Sequence, residues 1–172
     1  PQDGGPAPKQ EGDGKSPAGV FGIGIAFGYP ERVDTRLDYR QMQATNWCMD
    51  VPGSPLYNRI VDSREVGEAA VKGSTEPMRL DIHDNGDQRY KIGFVIRHND
   101  QNVERGGSCI FAHLWGNPDK TTAGCTAMAE PAMRETLAWL EPQAHPVFVQ
   151  LTEAEYESKQ RDWQLPARTT FH

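Results

Sequence analysis

The sequence has no long hydrophobic run and no concentration of basic residues. None of its 172 residues belongs to a stretch of about eighteen apolar residues, which a membrane-spanning helix needs. Eighteen Lys and Arg residues against 24 Asp and Glu residues give a formal net charge of −6 at pH 7. An acidic chain without a basic patch is poorly suited to the phosphate backbone of nucleic acids. We therefore expect neither a membrane span nor a nucleic-acid partner.

Two motifs that bind phosphate or metal are incomplete. Gly14-Lys15-Ser16 resembles the end of a phosphate-binding loop, but Lys9 stands where that loop needs its first glycine. Residues 81–87 resemble a calcium-binding loop, yet Ile92 occupies the position of the closing Glu. We expect a plain turn at 81–87, and neither a metal ion nor an organic cofactor.

Glycine and proline are frequent, with 17 and 13 residues, and the apolar runs between them are short. This pattern favours a turn-rich β architecture over a helical one, and the length fits one domain. Strands are predicted at about residues 20–27, 89–98, 108–115 and 146–151.

Two helices are predicted near the C-terminus. Met133, Leu137 and Leu140 follow the i, i+4, i+7 spacing of one helical face, which predicts a helix over about 130–141. Thr152-x-x-Glu155 is a capping-box pattern that predicts a last helix towards Trp163.

Two segments lack such patterns. Residues 1–11 are rich in Pro, Gly, Gln and charge, which predicts an extended lead-in. The chain opens at Pro1 rather than Met, so we expect a processed or trimmed form. Between about residues 28 and 77 the apolar density drops, which predicts a long loop insertion. We expect either an ordered flap over a site, with Tyr57 and Asn58 facing the substrate, or a surface excursion.

One stretch combines the residues that nucleophilic chemistry needs, and from position 106 it reads GGSCIFAHLWGNPDKTTAGCTAM. His113 lies near the end of the predicted strand, and a polar loop then leads to Cys125. A thiolate is the reactive form of cysteine, so a neighbouring imidazole would take its proton. Gly124 allows a sharp turn that leaves the amides around Cys125 open as an oxyanion hole. A helix starting soon after Cys125 would favour the thiolate through its positive end. A buried structural cysteine and a core histidine are the alternative.

This stretch resembles the active-site motif of the L,D-transpeptidase catalytic domain (YkuD type), in which a strand histidine precedes Ser/Thr-x-Gly-Cys. His113 matches the histidine, Thr122 the Ser/Thr, Gly124 the glycine and Cys125 the nucleophile. Upstream, residues 12–21 resemble the family's G-D-x-x-[ST]-P-x-G-x-F stretch.

Two positions depart from the pattern of many members. Ala123 stands where they have His, and Ala127 where they have Arg. The Gly-Cys-x-Ala-Met form is nearer to a divergent branch that includes amidases. The direction of the reaction, transfer or hydrolysis, therefore stays open.

The resemblance implies a mostly β, β-sandwich-like fold over residues 12–172, with two short α-helices. It also implies that Cys125 attacks the third residue of a peptidoglycan stem peptide and expels D-alanine, while His113 transfers the proton. The resulting thioester would pass to an amine, such as a D-amino acid, a second stem peptide or a wall-anchored protein. An L,D-carboxypeptidase or amidase is the hydrolytic alternative, and a non-catalytic wall-binding module is the alternative from another class.

The remaining expectations follow from this assignment. Ala123 would join Gly124 and Thr122 around the nucleophile, and His98 and Trp115 would line the pocket. If Cys125 is the free thiol, Cys48 and Cys109 remain as a disulfide pair, which implies an oxidising compartment. Three reduced thiols in the cytosol are the alternative. The family implies a periplasmic or other cell-envelope location.

Overall fold

The structure is a computed structural model that describes residues 8–167. The strands are β1 (Gly19–Gly28), β2 (Tyr39–Gln41), β3 (Asn46–Cys48), β4 (Ile60–Asp62), β5 (Glu76–Pro77), β6 (Ile92–Arg97), β7 (Phe111–Leu114), β8 (Thr126–Met128) and β9 (Val147–Gln150). The α-helices are α1 (Ser63–Val66), α2 (Glu68–Val71), α3 (Leu80–His83), α4 (Glu130–Trp139) and α5 (Glu153–Lys159), and a 3-10 turn covers Pro142–Ala144.

The longest strand, β1, organises a mixed sheet in the order β2-β1-β6-β7-β8. β1 runs antiparallel to β6 and, at its first residues, to β9, whereas its last residues pair in parallel with β2. β6 is antiparallel to β7, and β7 is parallel to β8. This last pairing brings the segment after residue 125 alongside the strand that carries His113.

Both faces of this sheet are buried. Successive side chains of a strand point to opposite sides, so each face packs in a cluster of its own. On one face Phe94 and Ala112 pack in a cluster with Met133 and Leu137 of α4. On the other face Phe111 packs in a cluster with these residues from the segment before β6: Met42, Cys48, Met78, Leu80 and Tyr90. The architecture is therefore mixed and dominated by sheets, with helix α4 on one side and a smaller layer on the other.

That smaller layer corrects the prediction of an irregular loop over 28–77. The segment contains a second sheet, in the order β4-β3-β5, together with the one-turn helices α1 and α2. Strands of two or three residues are too short to show the alternation by which a strand is recognised in a sequence. The strands with which they pair are distant in the chain, so the composition of this segment taken alone resembles that of a loop.

The helices near the C-terminus lie where the sequence patterns are strongest. Helix α4 buries Met133 and Leu137, and α5 begins after Thr152 in a capping box with Glu155. The one-turn helices α1, α2 and α3 were not predicted, because four residues hold no repeated apolar spacing. No helix within residues 8–167 has the length and apolarity to cross a membrane.

The predicted lead-in lies partly outside the described residues, which begin at position 8. Residues 8–11 are held against the rest of the protein. The amide of Glu11 donates to the carbonyl oxygen of Arg105 at 2.9 Å, and its carboxylate accepts a hydrogen bond from Ser108 at 2.7 Å. This part of the lead-in therefore belongs to the folded structure.

Candidate active site

Cys125 and His113 lie on the same face of the main sheet. His113 pairs with Ala127 across β7 and β8, and Cys125 lies two positions before Ala127. Residues two apart along an extended strand point to the same side. The ring of Tyr90 links the two: its centroid lies 5.4 Å from that of His113, and Cys125 packs against the cluster that contains Tyr90.

The thiol of Cys125 is held by the backbone of the neighbouring strand. Its Sγ atom accepts a hydrogen bond from the amide of Phe111 at 3.4 Å and donates one to the carbonyl oxygen of Cys109 at 3.4 Å. Burial raises the pKa of Cys125 to about 12, and the bond from Phe111 offsets only part of this effect. The thiol is therefore protonated in the resting protein.

His113 is buried and oriented by one hydrogen bond. Its Nδ1 atom lies 2.7 Å from the carbonyl oxygen of Leu114, and a carbonyl can only accept, so Nδ1 carries the proton. Within residues 8–167 the Nε2 atom has no hydrogen-bond partner, which leaves its lone pair open. Burial lowers the pKa of His113 below the usual 6.5. The ring is therefore neutral and can act as a base.

A hydrogen-bonded pair, the buried Tyr90 and the partly buried Glu76, lies beside these two residues. The hydroxyl of Tyr90 donates to Glu76 Oε2 at 2.7 Å. Burial raises the pKa of both Glu76 and Tyr90. The sequence pattern indicated Tyr90 only as a strand residue, and Glu76 lies in the segment predicted as a loop. Nothing in the local sequence signalled that the two would meet near Cys125.

Cys125 opens onto a cleft of about 280 Å³. Its walls come from five separate parts of the chain, and they include Glu11, Gly12 and Gly14; Asp50; Thr75 and Glu76; Ser108, Cys109 and Ile110; and Ala123. Acidic side chains from three of these parts face the cleft. His113 is not part of its wall and is buried in the protein.

The two stretches that carried the family resemblance meet at this cleft. Ser16 Oγ donates to the carbonyl oxygen of Cys125 at 3.5 Å. Gly124 has φ +141°, and a Cβ atom there would lie 2.9 Å from the carbonyl oxygen of Lys15. Only glycine fits this close approach without strain.

Thr122 organises the turn that precedes Cys125. Its Oγ1 atom donates to the carbonyl oxygen of Cys125 at 2.6 Å and accepts from the amide of Gly124 at 3.4 Å. The Gly124 amide is thus already engaged, and the oxyanion hole around Cys125 stays a prediction. Ala123 lines the cleft.

The expectation that a helix end favours the thiolate is wrong. Cys125 is followed by β8, and α4 begins only at Glu130. The effect of a helix dipole falls off within the first turn, so α4 has little influence on the thiol. The raised pKa of Cys125 agrees with this placement.

The predicted substrate-facing residues are divided among several places. Tyr57 is buried, and its hydroxyl donates to Glu11. Asn58 accepts from the amide of Cys109 at 3.0 Å and donates to the carbonyl oxygen of Asn99 at 3.0 Å, so its side chain positions backbone.

His98 and Trp115 line two other clefts. His98 lies in the same cleft as Asn58, and its Nε2 atom is 2.8 Å from the carbonyl oxygen of Gly106. Trp115 is 39% exposed and lines a cleft with Arg89 and Glu130. The structure thus does not bring Tyr57, Asn58, His98 and Trp115 into the wall of the Cys125 cleft.

Cys48 and Cys109 form a disulfide, which is the pairing predicted from the sequence, and Cys125 is the free cysteine. The bridge ties β3 of the second sheet to the segment that precedes β7. The predicted flap is therefore a fixed layer beside the cleft.

Within the described part of the chain, no group of three His, Cys, Asp or Glu side chains is arranged to hold a metal ion. No family model, curated protein or solved structure matches this chain. The functional argument therefore rests on the residues and geometry of the Cys125 cleft.

Proposed function

We propose that the protein is a cysteine acyltransferase that acts on peptidoglycan stem peptides as an L,D-transpeptidase. The observation that carries the proposal is the placement of Cys125: the free cysteine opens onto a cleft and shares a sheet face with a neutral, oriented His113. The motif around these residues supports the choice of substrate.

The charges at rest favour proton transfer during attack over a preformed ion pair. Burial keeps the Cys125 thiol protonated and the His113 ring neutral. Nε2 of His113 therefore takes the thiol proton as Sγ bonds to the substrate carbonyl carbon. Collapse of the adduct breaks the bond to the D-alanine nitrogen, which receives the proton from His113. The product is a thioester on Cys125.

Resolution of the thioester decides between transfer and hydrolysis. In transfer, the acceptor amine attacks the thioester carbon, its proton passes to His113, and the C–S bond breaks to restore the thiol. We favour transfer because Glu76 of the second sheet, with Asp50 and Thr75 from the segments that flank its strands, supplies a fixed wall of the cleft. Such a wall limits the access of water to the thioester. A location in the cell envelope belongs to the same proposal.

The hydrolytic alternative is an L,D-carboxypeptidase or amidase. It is favoured by Ala123 and Ala127, which replace the His and Arg of many transpeptidases. The acceptor in the transfer reaction is a D-amino acid, a second stem peptide or a wall-anchored protein.

Mass spectrometry of the intact protein with a disaccharide-tetrapeptide tests the function. We expect an acyl adduct on Cys125 with release of D-alanine, and neither in Cys125→Ala. Adding a D-amino acid should then give an exchanged peptide. Absence of an adduct together with unchanged substrate would refute the function, and release of free acid at saturating acceptor would assign the hydrolytic alternative.

A further inference from the structure

A second cleft, of about 400 Å³, is lined by three arginine side chains. Arg40 comes from β2, Arg59 immediately precedes β4, and Arg97 ends β6. The lining also contains apolar side chains, among them Ile25, Ile60, Val95 and Phe111. The chain as a whole carries a net charge of −6, so this grouping of cations runs against its overall charge. We call this site the arginine cleft.

Among the residues that the structure describes, two of the three guanidinium groups have no acidic partner. Arg97 pairs with Asp100, which also lines the cleft, at 3.1 Å. Within residues 8–167, no carboxylate oxygen lies within 4.0 Å of a side-chain nitrogen of Arg40 or Arg59. A guanidinium donates two parallel hydrogen bonds to a carboxylate, which makes it the preferred protein group for this ligand. The cleft therefore offers two open carboxylate-binding groups beside an apolar surface.

The arginine cleft adjoins the Cys125 cleft. Ile110 lines both of them. The disulfide joins Cys48, which lines the arginine cleft, to Cys109, which lines the Cys125 cleft. Phe111 lines the arginine cleft, and its amide donates a hydrogen bond to Cys125 Sγ. The wall between the two clefts is thus the segment 109–111.

We propose that the arginine cleft binds a free carboxylate of the peptide substrate and so fixes the peptide relative to Cys125. Arg40 and Arg59 bind the carboxylate, and the apolar lining accepts the aliphatic part of the peptide. The choice of a peptide rests on the proposed function. The choice of a carboxylate rests on the two unpaired guanidinium groups. The cleft acts in binding and takes no part in the bond-making steps.

Calorimetric titration of Cys125→Ala tests this proposal without any catalytic turnover. The probes are a stem tripeptide with free carboxylates and the same peptide with its carboxylates converted to amides. We expect the free acid to bind at least about tenfold more tightly than the amide in low salt, since charge-assisted hydrogen bonds are the stronger kind. The difference should shrink as salt is added.

Charge-removing variants locate the binding. Arg40→Gln and Arg59→Gln, introduced together into Cys125→Ala, should weaken the binding of the free-acid peptide about tenfold or more. The binding of the amide peptide should stay unchanged. Arg32→Gln is the matched control, because Arg32 is exposed in the loop after β1 and lies outside the cleft. The thermal midpoints of all variants should agree within a few degrees, since the substituted side chains are exposed.

Three outcomes would overturn the proposal: equal affinities for acid and amide, an equal loss in Arg32→Gln, and displacement of the acid by an equal concentration of inorganic phosphate. Failure of the proposed function looks different. In that case the wild-type protein forms no adduct on Cys125, while the arginine-dependent binding of the acid persists.

Discussion

The thiol of Cys125 donates its hydrogen bond to the carbonyl oxygen of Cys109, the residue that the disulfide joins to Cys48. The position of the free thiol is thus tied to a covalent bridge between the second sheet and the segment that precedes β7. Cys109 has φ +56°, a conformation that a residue other than glycine keeps only when its surroundings hold it. The disulfide and the hydrogen bond from the Cys109 amide to Asn58 supply that constraint.

Removal of the bridge should therefore affect both stability and the site. The bridge closes a loop between residues 61 apart, which on the chain-entropy model stabilises the fold by about 4 kcal/mol. We expect the double variant Cys48→Ala, Cys109→Ala to lose up to this amount in urea denaturation and to form the acyl adduct more slowly. Thiol titration of the denatured, unreduced wild type should find one thiol; three would contradict the bridge.

Alkylation of Cys125 should be slow in the native protein. The bridge leaves Cys125 as the one thiol available, so iodoacetamide labelling reports on it alone. With a pKa near 12 against an ordinary 9.0, its thiolate fraction at neutral pH is about 1,000-fold lower. We expect the native rate to rise with pH beyond 10, whereas the denatured rate levels off above about 9. A native rate that levels off near pH 9 would show that the thiol is not desolvated.

His113 should make stability depend on pH. Its imidazole takes up a proton near pH 6.5 in the unfolded chain but only at lower pH in the fold, because burial lowers its pKa. Its contribution is therefore fully present above about 6.5 and is lost as the pH falls towards the folded-state value. Urea denaturation between pH 5 and 8 measures this slope.

His113→Gln is the matched variant, because it fills much of the same volume and does not titrate. We expect it to flatten the slope below pH 6.5 and to abolish formation of the acyl adduct. A variant that flattens the slope but retains the adduct would make His113 a purely structural residue.

Gly124→Ala tests the close approach beside the nucleophile. Its Cβ atom would lie 2.9 Å from the carbonyl oxygen of Lys15 at φ +141°. We expect a loss of about 1–3 kcal/mol in stability and slower acylation, because the strain falls next to Cys125. Gly116→Ala is the control, since its Cβ would meet only the flexible side chain of Lys120 at 3.4 Å. Equal losses in the two variants would contradict this explanation.

Local sequence patterns were informative where they repeat or pair closely along the chain. The apolar spacing of Met133 and Leu137 marks the buried face of α4, and Thr152 with Glu155 marks the start of α5. The odd number of cysteines, once Cys125 was assigned as the free thiol, left one disulfide pairing. Such features depend on residues near each other or on counting, and both are visible without coordinates.

The tertiary structure alone decided which distant segments meet. It placed Glu76 with Tyr90 beside Cys125, Gly14 in the wall of the cleft, and Asn58 against the backbone of Cys109. The strands of the second sheet, which carries Glu76, are two or three residues long, so their pairing depends on packing between layers more than on local preference. Burial also set the protonation of Cys125 and His113, because desolvation depends on everything that surrounds a group.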